Sequence, residues 1–250
     1  AHIYTATMWL NRNWRGTTKA PMNYRLLGNT GLEVSEIGFG AWGIGGSVPG
    51  APAYGPTDDQ ESLGALRRAF DLGVTFYDTA DLYGYGHSER LLGEAFRGRR
   101  AQVVLASKSG FLDQARQQDF SPAHLREALE GSLRRLETDY LDLYQLHGPP
   151  LELLEQNSEI LEMLEAFVRE GKIRAWGVSL RSPDDALIAI RRLGARCIQA
   201  NFNLLDQRAL ESGLLALCEA QHVGVIVRTP LCFGFLTGAY DGAAAFDTRD

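Results

Sequence analysis

A carboxylate and a phenol stand close together in GVTFYDTADLYGYGHSE, residues 73–89, where Asp78 and Tyr83 follow a short apolar run at 74–77. Two further ionisable groups have the same relation to later runs: Lys108 ends one in LASKSG, and His147 ends the next in LYQLHG. A carboxylate, a phenol, an ammonium and an imidazole are the components of proton transfer to or from a reacting oxygen. Taken singly, each has an ordinary structural explanation: a turn cap, a rim aromatic, a solvated strand end and a loop histidine. Their joint position beyond three successive strand-like runs argues for one cluster, because parallel strands bring their carboxyl ends to a common rim.

The elements that must position them are legible from patterning. Apolar, β-branched and aromatic runs occur at 37–42, 74–77, 103–107, 140–146, 173–178, 197–202 and 224–227, with amphipathic stretches between them. Leu125, Leu129, Leu133 and Leu136 recur at helical spacing and give one apolar face that needs a sheet to cover it. Thr57 followed by Gln60 reads as a capping box, and Ser121-Pro122 and Ser182-Pro183 read as N-caps before a first-turn proline. Gly73, Gly171 and Gly194 mark helix ends. Ahead of this alternation, 24–27 and 32–37 flank Gly28-Asn29-Thr30-Gly31, which predicts a hairpin. Repeated strand–helix alternation predicts a parallel α/β fold, either an open sheet or a (β/α)8 barrel. Gly38, Gly40, Gly43, Gly45 and Gly46 lack the GxGxxG spacing of a dinucleotide-binding sheet, which favours the barrel.

Composition narrows the partners. The 250 residues are 45% hydrophobic, and a net charge of -6 with both signs interspersed offers no basic stripe to nucleic acid. No apolar run is long enough to span a bilayer. Cys197, Cys218 and Cys232 are odd in number and without a CxxC, which fits reduced thiols in a cytoplasmic protein. Residues 1–21 contain Arg12, Arg15 and Lys19 and no acid, without the apolar core of a secretory signal. They are expected to be an extension outside a single barrel domain over 22–250, with Met22 a natural start.

The four ionisable residues and their surroundings resemble the aldo-keto reductase family over most of the chain from residue 22 to 240. Asp78, Tyr83, Lys108 and His147 match the order of the family's catalytic tetrad; GHSERLLGEAF and GKIRAWGVS are similar to two of its flanking motifs. The resemblance implies a TIM barrel that reduces the carbonyl of an aldehyde, ketone or sugar-like substrate with NADPH. Tyr83 would then be the proton donor. A free tyrosine titrates near about 10, and an ammonium about 4 Å away, at an effective dielectric near 20, favours the phenolate by about 4 kcal/mol before desolvation opposes it. Lys108 would supply that charge, Asp78 would hold Lys108, and His147 would position the carbonyl oxygen or share in proton transfer.

By the same resemblance the cofactor would meet Trp42, Ser179, Gln199 and Arg228, and Thr229, Pro230, Leu231 and Gly234 in TPLCFGFLTG. Three positions depart from the family pattern: Leu180 replaces a common Asn, Arg228 a stacking aromatic, and Ala239 a common Lys. The family's last strand and helix, with its 2'-phosphate grip, are expected to be missing, leaving two strand edges unpaired and part of the apolar interior uncovered. Such a fragment is expected to be less stable, prone to aggregate and impaired in cofactor binding. The same fold also serves as a non-catalytic, cofactor-sensing channel subunit, which retention of the whole tetrad disfavours. A metal-dependent hydrolase using Asp78, Asp81, His87 and His147 is the weakest reading, since the chain has no HxH. Metal ligands are therefore not expected.

Overall fold

The computed structural model of the chain describes residues 2–3, 21–47, 55–113, 117–150, 152–153, 158–238 and 240. Strand β1 (His2–Ile3) is followed by an antiparallel hairpin, β2 (Tyr24–Leu26) and β3 (Glu33–Ser35). The alternation then runs β4 (Gly38–Gly40), α1 (Asp59–Asp71), β5 (Phe76–Asp78), α2 (His87–Ala95), β6 (Val104–Ser109), α3 (Pro122–Arg135) and β7 (Leu141–His147). It continues through α4 (Ser158–Arg169), β8 (Ile173–Ser179), α5 (Pro183–Leu193), β9 (Cys197–Asn201), α6 (Arg208–Glu211), α7 (Leu214–Ala220) and β10 (Gly224–Arg228). Strands β4 to β10 pair in sequence order, all parallel, and each overlaps one of the seven apolar runs. This is the wall of a (β/α)8 barrel up to its seventh strand, with the final elements lacking among the described residues.

The edges differ from expectation. His2–Ile3 pairs in parallel with Gly38 and Phe39 and lies beside β10, so the edge of β4 is covered by part of the stretch expected to stay outside the fold. Residues 4–20 lie outside the described residues. Among the described residues strand β10 pairs only with β9. Between the hairpin, α7 and the amino ends of β4 and β10 lies a cavity of about 930 Å³ bordered by Val34, Phe76, Cys218 and Ile226. The apolar side chains bordering it, Val34, Phe76, Cys218 and Ile226, are nonetheless buried, so the expected exposure of the interior is not seen at these residues.

Two apolar clusters follow from the period-2 alternation of strand side chains. Inside the barrel, Phe76, Val104, Ala106, Leu143, Ala175, Cys197 and Ile226 pack on Leu27, Leu32 and Val34 of the hairpin, which closes the floor. The hairpin seats closely there: Gly28 adopts φ 55, and a Cβ on it would lie 2.1 Å from the Gly224 nitrogen. Outside, Tyr77, Leu105, Tyr144, Leu146, Trp176 and Ile198 pack against the helices, with Leu125, Leu129, Leu133 and Leu136 buried together as their spacing predicts. Ser121 and Ser182 cap α3 and α5 by accepting from the amides of His124 and Asp185. For α1 the cap is Asp58, which accepts from Glu61 N at 2.9 Å; the Thr57–Gln60 box does not form. A carboxylate one residue later also satisfies the first-turn amides and suits the positive end of the helix.

The amino ends of three strands are joined by Asp142, which is 1% exposed. It accepts from the Leu105 amide at 2.9 Å, Arg100 Nη2 at 2.7 Å and Arg174 Nη1 at 3.0 Å. Asp142→Ala leaves the buried Leu105 amide without its side-chain acceptor and takes the carboxylate from both Arg100 and Arg174. The expected cost is about 2–4 kcal/mol, read as a lower urea midpoint with unchanged slope.

Candidate active site

Alternation along each strand also decides what lies above the apolar floor. Continuing inward from Phe76, Ala106, Leu143 and Cys197 by two residues gives Asp78, Lys108, Gln145 and Gln199, and two more along β7 and β9 give His147 and Asn201. The barrel therefore has an apolar lower half and a polar upper half.

Lys108 has no exposed surface, and Asp78 is 4% exposed. The lysine Nζ donates to Asp78 Oδ2 at 2.6 Å and to the Thr79 carbonyl at 2.7 Å. Asp78 Oδ1 accepts from Gln145 Nε2 at 3.0 Å and Gln199 Nε2 at 3.1 Å. Burial by itself would lower the Lys108 pKa; the charge of Asp78, then Tyr83, outweighs it and raises the ammonium above its ordinary value.

Lys108 Nζ lies 5.1 Å from the centre of the Tyr83 ring, and the His147 ring meets the Tyr83 ring edge-on at 6.0 Å. Phe111 packs edge-on against His147 at 4.9 Å. Burial, followed by the charges of Lys108, Arg228 and Arg181, holds the His147 pKa well below its ordinary value, so the imidazole is neutral at neutral pH. The four predicted residues thus form one cluster. The loop carrying Tyr83 is fixed by backbone contacts: Tyr83 N donates to Ala80 O, and Ser88 N to Tyr83 O. Gly84 has φ 59, and a Cβ there would come within 2.0 Å of the Gly45 carbonyl oxygen. Only glycine permits that approach.

Phe111, His147, Ser179, Leu180, Arg181 and Arg228 line a cleft of about 320 Å³ beside the cluster. Trp42 follows β4 and leads into a 3-10 turn, Gly43–Gly45, at the same rim. Beyond β10, Thr229, Pro230, Leu231 and Gly234 lie in a tight loop in which Thr229, Cys232 and Phe233 take left-handed φ of 56, 47 and 54 degrees. Asn203 braces it by donating to the Thr229 carbonyl. Ser179 borders the cleft, whereas Gln199 lies behind it, with its oxygen accepting from Ser179 Oγ at 3.2 Å and its nitrogen committed to Asp78. Ala239 falls outside the described residues. Sequence reasoning missed Gln145, Asn201, Asn203, Gln118 and Phe111. A signal existed for Gln145, a polar residue inside an apolar run and two positions from His147 on the same strand face. Gln118 reveals itself only in space, donating to the carbonyls of His147 and Gly148.

The residues proposed for a metal are dispersed: Asp78 serves Lys108, and His87 Nε2 meets Asp59 Oδ1 at 2.8 Å. Among the described residues no group of three or more His, Cys, Asp or Glu is arranged to hold a metal ion.

Residues 36–250 match the profile of the aldo/keto reductase family, and the chain belongs to that family. It is 39% identical over 238 residues to aldo-keto reductase YhdN of Bacillus subtilis (strain 168), an alignment covering 92% of this chain and 68% of the relative. It is 34% identical over 229 residues to the NADH-specific methylglyoxal reductase of Escherichia coli (strain K12), covering 85% and 68%. Among solved structures, the holo form of aldo-keto reductase AKR11C1 from Bacillus halodurans superposes with a TM-score of 0.78 at 33% identity, covering 91% of this chain and 73% of that one. The chain thus spans about two thirds of the length of these curated relatives.

The Lys108–Asp78 pair makes a signed prediction. With its pKa raised, the stabilising charge of Lys108 is fully present below the unfolded value of about 10.4 and is lost only as pH climbs through the folded one. In Asp78→Asn, burial prevails and the Lys108 pKa falls below the unfolded value. Stability of that variant should therefore rise with pH on approaching about 10, where the Lys108 contribution in wild type is level, in urea midpoints measured across the alkaline range.

Proposed function

We propose that this chain carries the catalytic part of a cytoplasmic, NADPH-dependent reductase that converts a small aldehyde, ketone or sugar-like carbonyl to an alcohol. The observation that carries this reading is a fully buried ammonium between a carboxylate and a phenol, with a neutral imidazole against the same phenol. Membership of an oxidoreductase family supports it.

The polar layer suits a nicotinamide. Gln145 Oε1, His147 Nδ1 and Asn201 Oδ1 are buried without partners among the described residues, and Ser179 borders the adjoining cleft. Trp42 and Arg228 would flank the ring, Ser179, backed by Gln199, would hold its carboxamide, and the backbone of Thr229, Pro230, Leu231 and Gly234 would follow the pyrophosphate. Arg228 can stack through its guanidinium plane, and its charge bears on the balance between oxidised and reduced cofactor. When bound, that cofactor supplies hydride to the carbonyl carbon.

The chain's own residues supply the proton. Tyr83 gives its phenolic hydrogen to the oxygen as charge develops there, and Lys108 stabilises the phenolate left behind. Asp78 keeps Lys108 charged and aimed; Gln145 and Gln199 keep Asp78 in place. A neutral His147 offers the carbonyl oxygen a hydrogen bond without competing for the proton. Retention of all four groups favours this over a non-catalytic, cofactor-sensing role.

The test uses the longest gene product that contains these 250 residues. Tyr83→Phe should bind NADPH as tightly as wild type by fluorescence titration and reduce 4-nitrobenzaldehyde about 100-fold more slowly or worse. Equal turnover by the variant rejects the donor role. Cofactor binding by wild type without turnover of any carbonyl favours the regulatory reading. NADPH should give the lower KM; a preference for NADH would align the chain with its E. coli relative.

A further inference from the structure

Between the Trp42 turn and the loop carrying Tyr83 stand two fully buried hydroxyls that the reaction above does not use, those of Thr79 and Ser88. Ser88 is the second residue of α2, where a short hydroxyl side chain can bond the backbone of its own helix. Here the hydroxyl is spent elsewhere: α2 is capped by Gly86 with no side-chain bond, and Ser88 Oγ reaches out of the helix. It donates to the Ala41 carbonyl at 2.8 Å, and Thr79 Oγ1 lies 2.8 Å from it.

A carbonyl only accepts, so the single Ser88 proton goes to Ala41 O, and Thr79 must donate to Ser88 Oγ. Both ends of this relay are tied to the site. The Thr79 carbonyl accepts from Lys108 Nζ at 2.7 Å, and its amide donates to Ala106 O of β6 at 2.8 Å. Ala41 directly precedes Trp42, and its amide donates to Asp78 O at 2.8 Å. Ser88 in turn holds Tyr83 through the backbone, its amide donating to Tyr83 O at 3.2 Å. The two hydroxyls thus stand where three parts of the site meet: the residue that holds Lys108, the turn that carries Trp42 and the backbone of Tyr83.

We propose that Ser88 is a positioning residue of the tetrad: with Thr79 it fixes the Tyr83 loop against the turn leading into Trp42, and so sets where the phenol stands relative to the cofactor wall. Ser88→Ala removes both links at once. It leaves the buried Thr79 hydroxyl without its acceptor and takes a donor from the Ala41 carbonyl. A proton donor misplaced by roughly 1 Å can cost up to about 100-fold in rate while the cofactor stays bound. The effect on turnover rests on the reductase reading; the link between loop and turn does not.

The experiment is amide hydrogen exchange of the same full gene product, read by mass spectrometry over residues 41–46 and 79–88, with β8 and β9 as reference. The amides of Gly45, Tyr83 and Ser88 are hydrogen-bonded in those two segments. Ser88→Ala should quicken exchange in both by about 10-fold more than in the reference strands. Thr79→Val keeps the volume and the Ser88–Ala41 bond, so it should quicken 79–88 and spare 41–46. In turnover, Ser88→Ala should lower kcat about 10-fold and hold the Kd for NADPH within about threefold. A merely structural serine would lower the urea midpoint, quicken exchange evenly along the chain and leave kcat of the folded enzyme unchanged. Even quickening, quickening of only one segment in Ser88→Ala, or an unchanged kcat in an active enzyme overturns the proposal. Should Ser88→Ala not fold, Thr79→Val decides, and exchange at 79–88 equal to wild type overturns it. Paired quickening in a protein whose wild type shows no turnover would instead sink the reductase reading alone.

Discussion

An ammonium with no exposed surface needs a reason to remain charged, and in this chain the reason is Asp78. Desolvating an ion costs several kcal/mol even after the protein relaxes, so the pair persists only because its remaining lone pairs and protons are also satisfied. The Thr79 carbonyl takes a second lysine proton, and two glutamine amides take the second carboxylate oxygen. Strands β5, β6, β7 and β9 each contribute one member. The pair therefore depends on four of the seven barrel strands described, and its geometry inherits the rigidity of the sheet.

The same layering separates stability from chemistry. Apolar residues and the hairpin close the floor, Asp142 ties three strands at their amino ends, and ionisable groups occupy the carboxyl rim. Charge at the rim has low-dielectric material beneath it, which strengthens every interaction made there. His147 shows the effect: burial and three neighbouring cations together keep it neutral, where a solvated imidazole would titrate near physiological pH.

Much of this was legible in the sequence because strand alternation is a local property. All seven barrel strands coincide with apolar runs, and Asp78, Tyr83, Lys108 and His147 converge because each ends or follows such a run. The two Ser-Pro caps were equally local. What escaped was non-local or competitive. Asp58 displaced Thr57 as a cap because both can reach a first-turn amide and only geometry chooses. Gln118 acts across a loop from His147, and Gln199 turned inward to Asp78 because a carboxylate acceptor was within reach. The seating of His2–Ile3 beside Gly38 and Phe39 joins segments far apart in the chain and carries no local pattern at all.

The contact between Gly45 and Gly84 has a mechanical meaning. One glycine ends the turn that follows Trp42; the other directly follows Tyr83, and their backbones touch with no side chain between them. A side chain at such a junction would act as a compressible spacer. Bare backbone leaves no rotamer there to absorb a change in spacing, so the wall proposed for the cofactor and the residue proposed to give the proton meet at one backbone contact.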